Sequence, residues 1–372
     1  IQFSFVEIKT NKMVELQEKT QYIKTENCGD LMVHIQGDLS QQENKAVFLT
    51  VHDLGSNHTS FKTFIDHPSM VEVKSKSIFI HVIVPGQEDS ASDLPDSFKF
   101  PTLAQIGQEL VMVLDELNVK CVVGLGEGAG ANILVRFAIF HTSRCLGLVL
   151  IHCTASVAGF TETVKDKFIN NRLNNIGMNS YAESYLLFHR YGYILDERIE
   201  SGEDKEKLIK EFQERLNKAV NPRNLTKFVD AFLKRTDITS MLEKNLKVDC
   251  LLIDGTKSSY LHTMDNMFSH LNKEKSQMIK VDGVGHVMEE APAKMTHSLI
   301  LFTQGLGLLT AVPTNPEERS RTMSGSSMDS ETGDKNKRRS RTMSMEEFDR
   351  PCIRRLSLVA TKTASQENTV DE

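Results

Sequence analysis

Residues 119–139 read VKCVVGLGEGAGANILVRFAI, and this stretch decides the fold. It opens with a short run rich in β-branched residues, as in a buried strand. A glycine-rich turn follows, and a helical pattern starts at Ala131. The stretch therefore predicts a strand, a sharp turn and a helix, which together form the repeating unit of an α/β sheet.

The turn has the form of a nucleophile site that lacks its nucleophile. In α/β-hydrolases this strand–turn–helix carries G-x-S-x-G, and the sharp turn raises the serine hydroxyl above the sheet. We align that frame with residues 124–128, so that Gly126 stands at the position of the serine. Because glycine has no side chain, it offers no attacking atom. We therefore expect that the chain is not an enzyme.

Strands and helices alternate along most of the chain, which predicts an α/β-hydrolase-like, doubly wound and mostly parallel sheet. The strand candidates are short and apolar and rarely alternate with polar residues, as in strands buried on both faces. They are Ala46–Val51, Ile78–Val84, Val119–Val123, Leu146–Ile151, Cys250–Ile253 and Gln277–Val281. Tyr22–Thr25 and Leu31–Ile35 predict an antiparallel hairpin at one edge. Thr102 and Gln105 predict a capping box at the start of a helix.

The composition predicts an N-terminal extension, a folded domain and a tail. Residues 1–21 form the extension, and residues 22–312 form the α/β-hydrolase-like domain. Within the domain, about residues 161–237 contain amphipathic patterns but no strand-like run. These residues predict a helical cap above the C-terminal edge of the sheet. Residues 313–372 are rich in Ser, Thr and charged residues, so they predict a disordered tail.

In the expected positions, one member of a catalytic triad remains. In hydrolases the acid follows the strand after the cap, and the histidine follows the last strand. Ser258 stands at the acid position and His286 at the histidine position. A histidine base needs a hydroxyl or thiol within hydrogen-bond reach and an acid that orients its ring. Gly126, Ser258 and His286 are therefore degenerate positions, and we predict no catalytic residue.

His52, Asp53 and Glu127 predict a pocket near the turn. His52 and Asp53 follow the strand Ala46–Val51, where hydrolases place an oxyanion-hole amide. Asp53 and Glu127 would then place two carboxylates above the sheet, as acid–base chemistry requires. A simpler interpretation is that Asp53 caps the turn or helix that follows it. The alternative function is an unconventional hydrolase that uses His286 with Asp53 or Glu127.

Nucleotide and metal cofactors are not expected. Gly126–Ala131 fits G-x-G-x-x-A, and a helix N-terminus there would attract a phosphate. A dinucleotide site also needs an acidic residue about twenty positions later, but no Asp or Glu lies between Glu127 and Glu162. The histidines have no metal-ligand spacing. They are scattered at positions 34, 52, 58, 67 and 81.

The overall composition excludes further classes of protein. A net charge of −6 argues against a general nucleic-acid binder. The 40% apolar and 25% charged residues are ordinary for a globular protein. The six cysteines form no C-x-x-C pair, and most lie in or beside apolar runs, as buried free thiols do. No apolar run is long enough to span a bilayer. We therefore expect a cytoplasmic protein.

The predicted tail carries a repeated basic motif. The hexapeptide RSRTMS occurs twice and ends at Ser324 and at Ser344. In each copy, arginines lie five and three residues before the serine, and two arginines also precede Ser357. Basophilic kinases bind such arginines through acidic pockets, because guanidinium–carboxylate pairs fix the register. These serines predict phosphorylation, which adds close to two negative charges at each site.

Residues 22–310 resemble the N-myc downstream-regulated family. The resemblance depends on five motifs, and the tail repeats are similar to the phosphorylated repeats of that family. The motifs are H-D-L-G-x-N at 52–57, PTLAQI at 101–106, GLGEGAGANILVRFA at 124–138, LGLVLI at 146–151 and FTQGLG at 302–307. Residues 1–21 match no part of the family pattern.

The resemblance implies an α/β-hydrolase fold without a working hydrolytic site. It also implies a cytoplasmic phosphoprotein in signalling, stress response, differentiation or trafficking. The expected partners are proteins and basophilic serine/threonine kinases, with a small ligand under the cap, and neither nucleic acid nor a membrane span. His286 departs from the family pattern, which usually lacks a histidine there. This departure keeps the alternative of an unconventional hydrolase open.

Overall fold

The computed structural model describes residues 16–157, 177–192 and 205–313. These residues form one sheet of eight strands. The strands are β1 (Glu18–Lys24), β2 (Asp30–Gln36), β3 (Ala46–Val51), β4 (Ser77–Ile83), β5 (Val122–Glu127), β6 (Cys145–Ile151), β7 (Asp249–Gly255) and β8 (Ser276–Val281). Their order across the sheet is β1-β2-β4-β3-β5-β6-β7-β8.

The sheet is mostly parallel, as the sequence predicts. β1 and β2 form the expected antiparallel hairpin at one edge, and β2 is also antiparallel to β4. All other neighbouring strands are parallel. β1 begins at Glu18, so the first strand starts before the predicted domain boundary at residue 22. The central strands are apolar throughout because helices cover both faces of a doubly wound sheet.

Helices of the described residues connect the strands and cover the sheet. They are α1 (His58–Ile65), α2 (Val71–Ser75), α3 (Leu103–Glu116), α4 (Gly128–Phe140), α5 (Ser180–Tyr191), α6 (Lys205–Lys218), α7 (Pro222–Leu233), α8 (Thr239–Asn245), α9 (Leu261–Ser269), α10 (Val287–Glu290) and α11 (Pro292–Gly305). The capping box of Thr102 and Gln105 at the start of α3 is confirmed.

Two hydrophobic cores lie on opposite faces of the sheet. Side chains alternate along a strand, so Leu49 joins the core beneath α3 and α4, whereas Phe48 joins the core beneath α1 and α11. Phe48 also stacks on Phe79 of the neighbouring strand, with ring centroids 5.1 Å apart. Burying each such side chain contributes roughly 1.5–3 kcal/mol. These cores fix the strand ends that carry the candidate site.

Helices α5 to α8 follow β6 and precede β7, where the sequence predicts a cap. The amphipathic pattern around residues 205–220 is confirmed as α6, which buries Phe212 and Leu216. Leu216 also packs against the loop after β3, close to Gly55. The remaining predicted cap residues, 158–176 and 193–204, lie outside the described residues.

Four cysteines are buried free thiols, in agreement with the sequence pattern. They are Cys28, Cys145, Cys153 and Cys250. Among the described residues, no helix has the length and apolarity needed to cross a bilayer.

A candidate site above the glycine-rich turn

The sharp turn lies at Gly128, and the prediction that Gly126 stands at its apex is wrong. β5 continues to Glu127 because it pairs with β6 as far as Ile151, so Gly126 is an ordinary strand residue. The predicted strand Val119–Val123 thus ends too early. The backbone turns at Gly128, whose φ is 52°, a conformation that glycine adopts without strain. Gly128 therefore holds the position at which hydrolases of this fold carry their nucleophile.

The space above Gly128 is filled by the carboxylate of Asp53. A Cβ atom on Gly128 would lie 2.0 Å from Cγ of Asp53, far inside van der Waals contact. Asp53 is only 1% exposed. A nucleophile side chain and the Asp53 carboxylate cannot occupy this space together.

Asp53 also occupies the oxyanion hole. Its Oδ1 accepts a hydrogen bond of 2.8 Å from the backbone N–H of Ala129. The backbone of Leu54 also helps to hold the pKa of the carboxylate down. Hydrolases use these two amides, one after the nucleophile and one in the loop after β3, to bind the reaction oxyanion. Burial favours the neutral acid, but His189 and these amides outweigh it, so the pKa of Asp53 lies well below its usual range.

The expectation that Asp53 caps the helix following it is wrong. The N-cap of α1 is Asn57, whose side chain accepts a 3.0 Å hydrogen bond from the N–H of Thr59. Asp53 instead bonds the first turn of α4 across space, through Ala129. The N-cap of α4, Glu127, makes no capping bond with its own side chain. The negative carboxylate of Asp53 therefore stabilises the positive, N-terminal end of α4.

His286 faces a carboxylate where a triad histidine faces a serine. Its Nε2 lies 2.7 Å from Oε1 of Glu127, and both side chains are fully buried. Oε1 of Glu127 also accepts a bond of 3.1 Å from Arg190. Burial raises the pKa of Glu127, but Arg190 and His286 lower it below the ordinary value. Nδ1 of His286 has no hydrogen-bond partner among the described residues.

Ser258 does not orient His286. Its hydroxyl accepts a 3.0 Å bond from the backbone N–H of Tyr260 and so belongs to the loop after β7. The buried acid of this strand is Asp254, which lies 3.2 Å from Nε2 of His152. Burial lowers the pKa of His152, but Asp254 raises it to about 9. This pair could not be predicted from the sequence, because the two residues are far apart along the chain.

Three residues at the end of cap helix α5 reach into the site, and we name His189, Arg190 and Tyr191 the α5 clasp. His189 contacts Oδ2 of Asp53 at 2.8 Å. Arg190 bridges Glu127 and Glu289, with the latter bond at 2.7 Å. The hydroxyl of Tyr191 donates to the other oxygen of Glu289, also at 2.7 Å.

The clasp is buried and holds the cap directly on the histidine loop. Burial raises the pKa of Glu289, but Arg190 opposes it and brings the pKa to about 2. A Cβ on Gly285 would lie 1.8 Å from the carbonyl oxygen of Tyr191, so the two backbones touch. Sequence reasoning missed the clasp, since a polar tripeptide at the end of a helix does not identify acids that lie 63 to 136 positions away.

Of the three predicted pocket residues, the structure brings Asp53 and Glu127 to the turn but directs His52 elsewhere. Nδ1 of His52 contacts the carbonyl of Asp53 at 2.9 Å, and its Nε2 accepts a 3.0 Å bond from the N–H of Val84. Burial lowers the pKa of His52 to about 4. His52 therefore joins two loops and presents no free nitrogen to the site.

The remaining sequence predictions concern cofactors and the tail. The N-terminus of α4 faces the carboxylate of Asp53, which takes the place a pyrophosphate would need. No group of three or more His, Cys, Asp or Glu in the described ranges could hold a metal ion. Three histidines are nevertheless not scattered: His34, His58 and His81 lie with ring centroids 4.6–6.4 Å apart. Ser324, Ser344 and Ser357 lie outside the described residues.

Sequence comparison identifies a family over most of the chain. The sequence model of the Ndr family matches residues 21–310. An uncharacterized protein of Caenorhabditis elegans is 45% identical over 337 residues, covering 90% of this chain and 94% of its own length. The NDRG-like protein of Dictyostelium discoideum is 32% identical over 272 residues, covering 73% of this chain and 81% of its own length.

Structure comparison confirms the predicted α/β-hydrolase fold. A thermophilic esterase from Thermogutta terrifontis superposes with a TM-score of 0.63 at 16% identity, covering 77% of this chain and 98% of the esterase. A hydrolase from Pseudomonas aeruginosa gives a TM-score of 0.61 at 17% identity, covering 76% and 98%. At this level of identity the likeness concerns the fold alone.

Proposed function

The chain belongs to the Ndr family, and on that premise we propose that it is a non-enzymatic protein with an α/β-hydrolase fold. It acts in the cytoplasm through protein partners, in signalling, stress response, differentiation or trafficking. Basophilic serine/threonine kinases regulate it by phosphorylating Ser324, Ser344 and Ser357 in the tail. The proposal favours partners on the surface over a ligand directly above Gly128, because Asp53 and the α5 clasp fill the space there.

The position of the Asp53 carboxylate carries the proposal that the protein is not catalytic. It takes the nucleophile space above Gly128 and the amide of Ala129 at once. Loss of one oxyanion-hole donor costs an enzyme about 10²–10³ in rate. Loss of the triad nucleophile or its histidine costs about 10⁶. With both functions absent, ester hydrolysis by this route falls close to the uncatalysed rate.

The charge network supports the same proposal, since it closes the site. A substrate would have to displace Arg190 from Glu127, which is fully buried, and from Glu289, which is half-buried. Breaking a buried ion pair by removing one partner costs about 3–5 kcal/mol, because a charge is left uncompensated. The network thus functions as a structural clamp between cap and sheet.

One observation favours the alternative of an unconventional hydrolase. His286 and Glu127 are 2.7 Å apart, as an acid–base pair is. Two features oppose it: Arg190 binds the same oxygen of Glu127, and the pair is fully buried. Asp53 cannot serve as the second acid for His286, because it is engaged by His189 and Ala129.

Turnover of an acyl-ester panel separates the two functions. We would assay the wild-type chain beside His286→Ala and Glu127→Gln, with an active esterase of the same fold as the positive control. The proposal predicts that all three chains stay at the level of buffer. Turnover by the wild type that disappears in His286→Ala would overturn it.

Phosphopeptide mapping tests the regulatory part of the proposal. We expect phosphate on Ser324 or Ser344 in stimulated cells, since both end an RSRTMS copy. Replacing the arginines three residues before these serines should abolish the modification, because the kinase loses its charged contacts. Finding both serines unmodified in stimulated cells would contradict regulation through this tail.

A further inference from the structure

A pocket of about 160 Å³ lies between α1 and the cap helix α6, beside the α5 clasp. Given roughly 30 Å³ per water, it has room for about five waters. One wall is formed by hydroxyl side chains and the other by two arginines. These residues are Ser56, Thr59, Ser60, Thr63, Arg190 and Arg215.

The two arginines have buried nitrogens that no residue of the described ranges binds. Nη1 of Arg215 contacts Asp89 at 2.8 Å, but its Nε and Nη2 have no hydrogen-bond partner. Nε and Nη2 form one edge of the guanidinium, and such an edge binds two oxygens of an anion side by side. Nε of Arg190 is also without a partner, and the Arg190 side chain is only 5% exposed.

The charge of Arg215 is incompletely compensated in this place. Burial lowers its pKa, and the attraction of Asp89 does not restore the ordinary value. The nearby positive charge of Arg190 lowers it further. Buried polar groups in native proteins are almost always bonded, so each exception points to a water or an ion.

Neither acid of the pocket wall can serve Arg215. Glu289 is engaged by Arg190 and by the hydroxyl of Tyr191. Glu211 is 61% exposed and faces Lys207 at 3.8 Å. No acceptor for the open edge of Arg215 therefore lies among the described residues.

The hydroxyl wall adds one available donor on the opposite side of the pocket, because three of its four hydroxyls already donate their single hydrogen within the protein. Thr59, Ser60 and Thr63 donate within α1 or its cap. Ser56 makes only a long contact of 3.5 Å to the carbonyl of Asn57, so its hydroxyl can turn to a ligand. Donors on two walls suit a tetrahedral ion with several oxygens better than a flat carboxylate, which one guanidinium edge already satisfies.

We propose that the pocket between α1 and α6 binds a phosphate group. The Nε–Nη2 edge of Arg215 binds two of its oxygens, and Nε of Arg190 and the hydroxyl of Ser56 bind from the other sides. Free phosphate and a phosphomonoester share this chemistry. A phosphoserine of the chain's own tail is one such monoester, and that source alone rests on the proposed tail phosphorylation.

The test measures binding of inorganic phosphate to the full chain by isothermal titration calorimetry, against equal concentrations of chloride. Arg215→Lys keeps the charge but loses the two-nitrogen edge, and we expect at least a tenfold weaker affinity. Ser56→Ala should weaken binding by a smaller factor. The matched control is Arg223→Lys, an exposed arginine of the cap paired with Asp93, which should bind as the wild type does.

A second arm distinguishes the sources of the phosphate group. A peptide of residues 339–346 phosphorylated on Ser344 is compared with its unphosphorylated form and with inorganic phosphate. Tighter binding of the phosphopeptide, lost in Arg215→Lys, assigns the pocket to the tail. Equal affinities assign it to free phosphate. No signal from phosphate, or equal binding by wild type and a folded Arg215→Lys, would overturn the proposal.

Discussion

Two sets of buried histidines differ in the partners that surround them. The site histidines, above the sheet, each lie within 3.2 Å of a carboxylate oxygen. The edge histidines, beside β2 and β4, contact mainly neutral groups and one another. His34 also lies 3.5 Å from a carboxylate oxygen of Glu18, and His58 is only half-buried. The site histidines are His152, His189 and His286, and the edge histidines are His34, His58 and His81.

The difference shows what keeps polar residues inside this fold. A buried base beside a carboxylate can hold a proton, so it forms an ion pair that joins distant elements. A buried base without an acid loses its charge, and only its hydrogen bonds remain. The site histidines therefore join buried carboxylates on distant elements, whereas the edge histidines belong to a largely neutral core.

Breaking the clamp should have the largest effect. Arg190→Met removes the shared cation and leaves Glu127 and Glu289 uncompensated. We expect the free energy of unfolding to fall by about 3–5 kcal/mol, as for other broken buried pairs. Urea unfolding measures it, with the exposed Arg223→Met as a matched control that should change stability by less than about 0.5 kcal/mol. Equal losses of unfolding free energy in the two variants would contradict the claim that the buried clamp contributes more to stability than surface ion pairs do.

Alkaline pH should break the buried pair of His152 and Asp254. Asp254 raises the pKa of His152 to about 9, against an unfolded value of 6.5. Because the folded pKa is the higher one, this stability is fully present below pH 6.5 and is lost as the pH rises through 9. The loss amounts to about 3 kcal/mol. His152→Gln should reduce the loss of stability as the pH rises from 6.5 to 9. An unchanged slope would contradict the pairing of His152 with Asp254.

Acidic pH should lower the stability of the fold through the edge histidines. This pH dependence is opposite in direction to that of His152. Burial lowers the pKa of His58 to about 4 and that of His81 well below its usual range. The unfolded chain binds protons first, so stability falls as the pH drops from 6.5 toward 4. Fully buried His81 contributes about 1.4 kcal/mol per pH unit. His81→Gln should reduce the slope, whereas a slope that stays constant would place the acid sensitivity elsewhere.

A methyl group at the turn should have the smallest effect on stability. Its result is also the most direct to interpret. Gly128→Ala places a Cβ 2.0 Å from Asp53 in a backbone conformation that suits glycine. We expect a loss of about 1–3 kcal/mol, typical of overpacking. In an Asp53→Gly background the loss should shrink, since the clash is gone. Additive losses in the double-mutant cycle would mean that the two positions do not share the space.

The sheet could be predicted from the sequence because its signals are local. Ala46–Val51 is a continuous apolar run, and the structure has a strand with the same bounds. The end of β5 could not be predicted in this way. Glycines at 124 and 126 look like a turn, but pairing with β6 holds them in the strand as far as Glu127.

The site could be predicted only in part, because its contacts are distant along the chain. The sequence predicted that Asp53 and Glu127 lie near the turn, since both follow predicted strands. The contact between Asp53 and His189 spans 136 positions and depends on how the cap sits on the sheet. No periodic pattern encodes that placement, so the α5 clasp became visible only in the structure.

Intact-mass analysis of the wild-type chain after treatment with a fluorophosphonate probe tests the central claim most directly. The account holds that Asp53 fills both the nucleophile space and the oxyanion hole above Gly128. It predicts an unmodified mass under conditions in which an active esterase of this fold is labelled completely. One adduct per chain would contradict it.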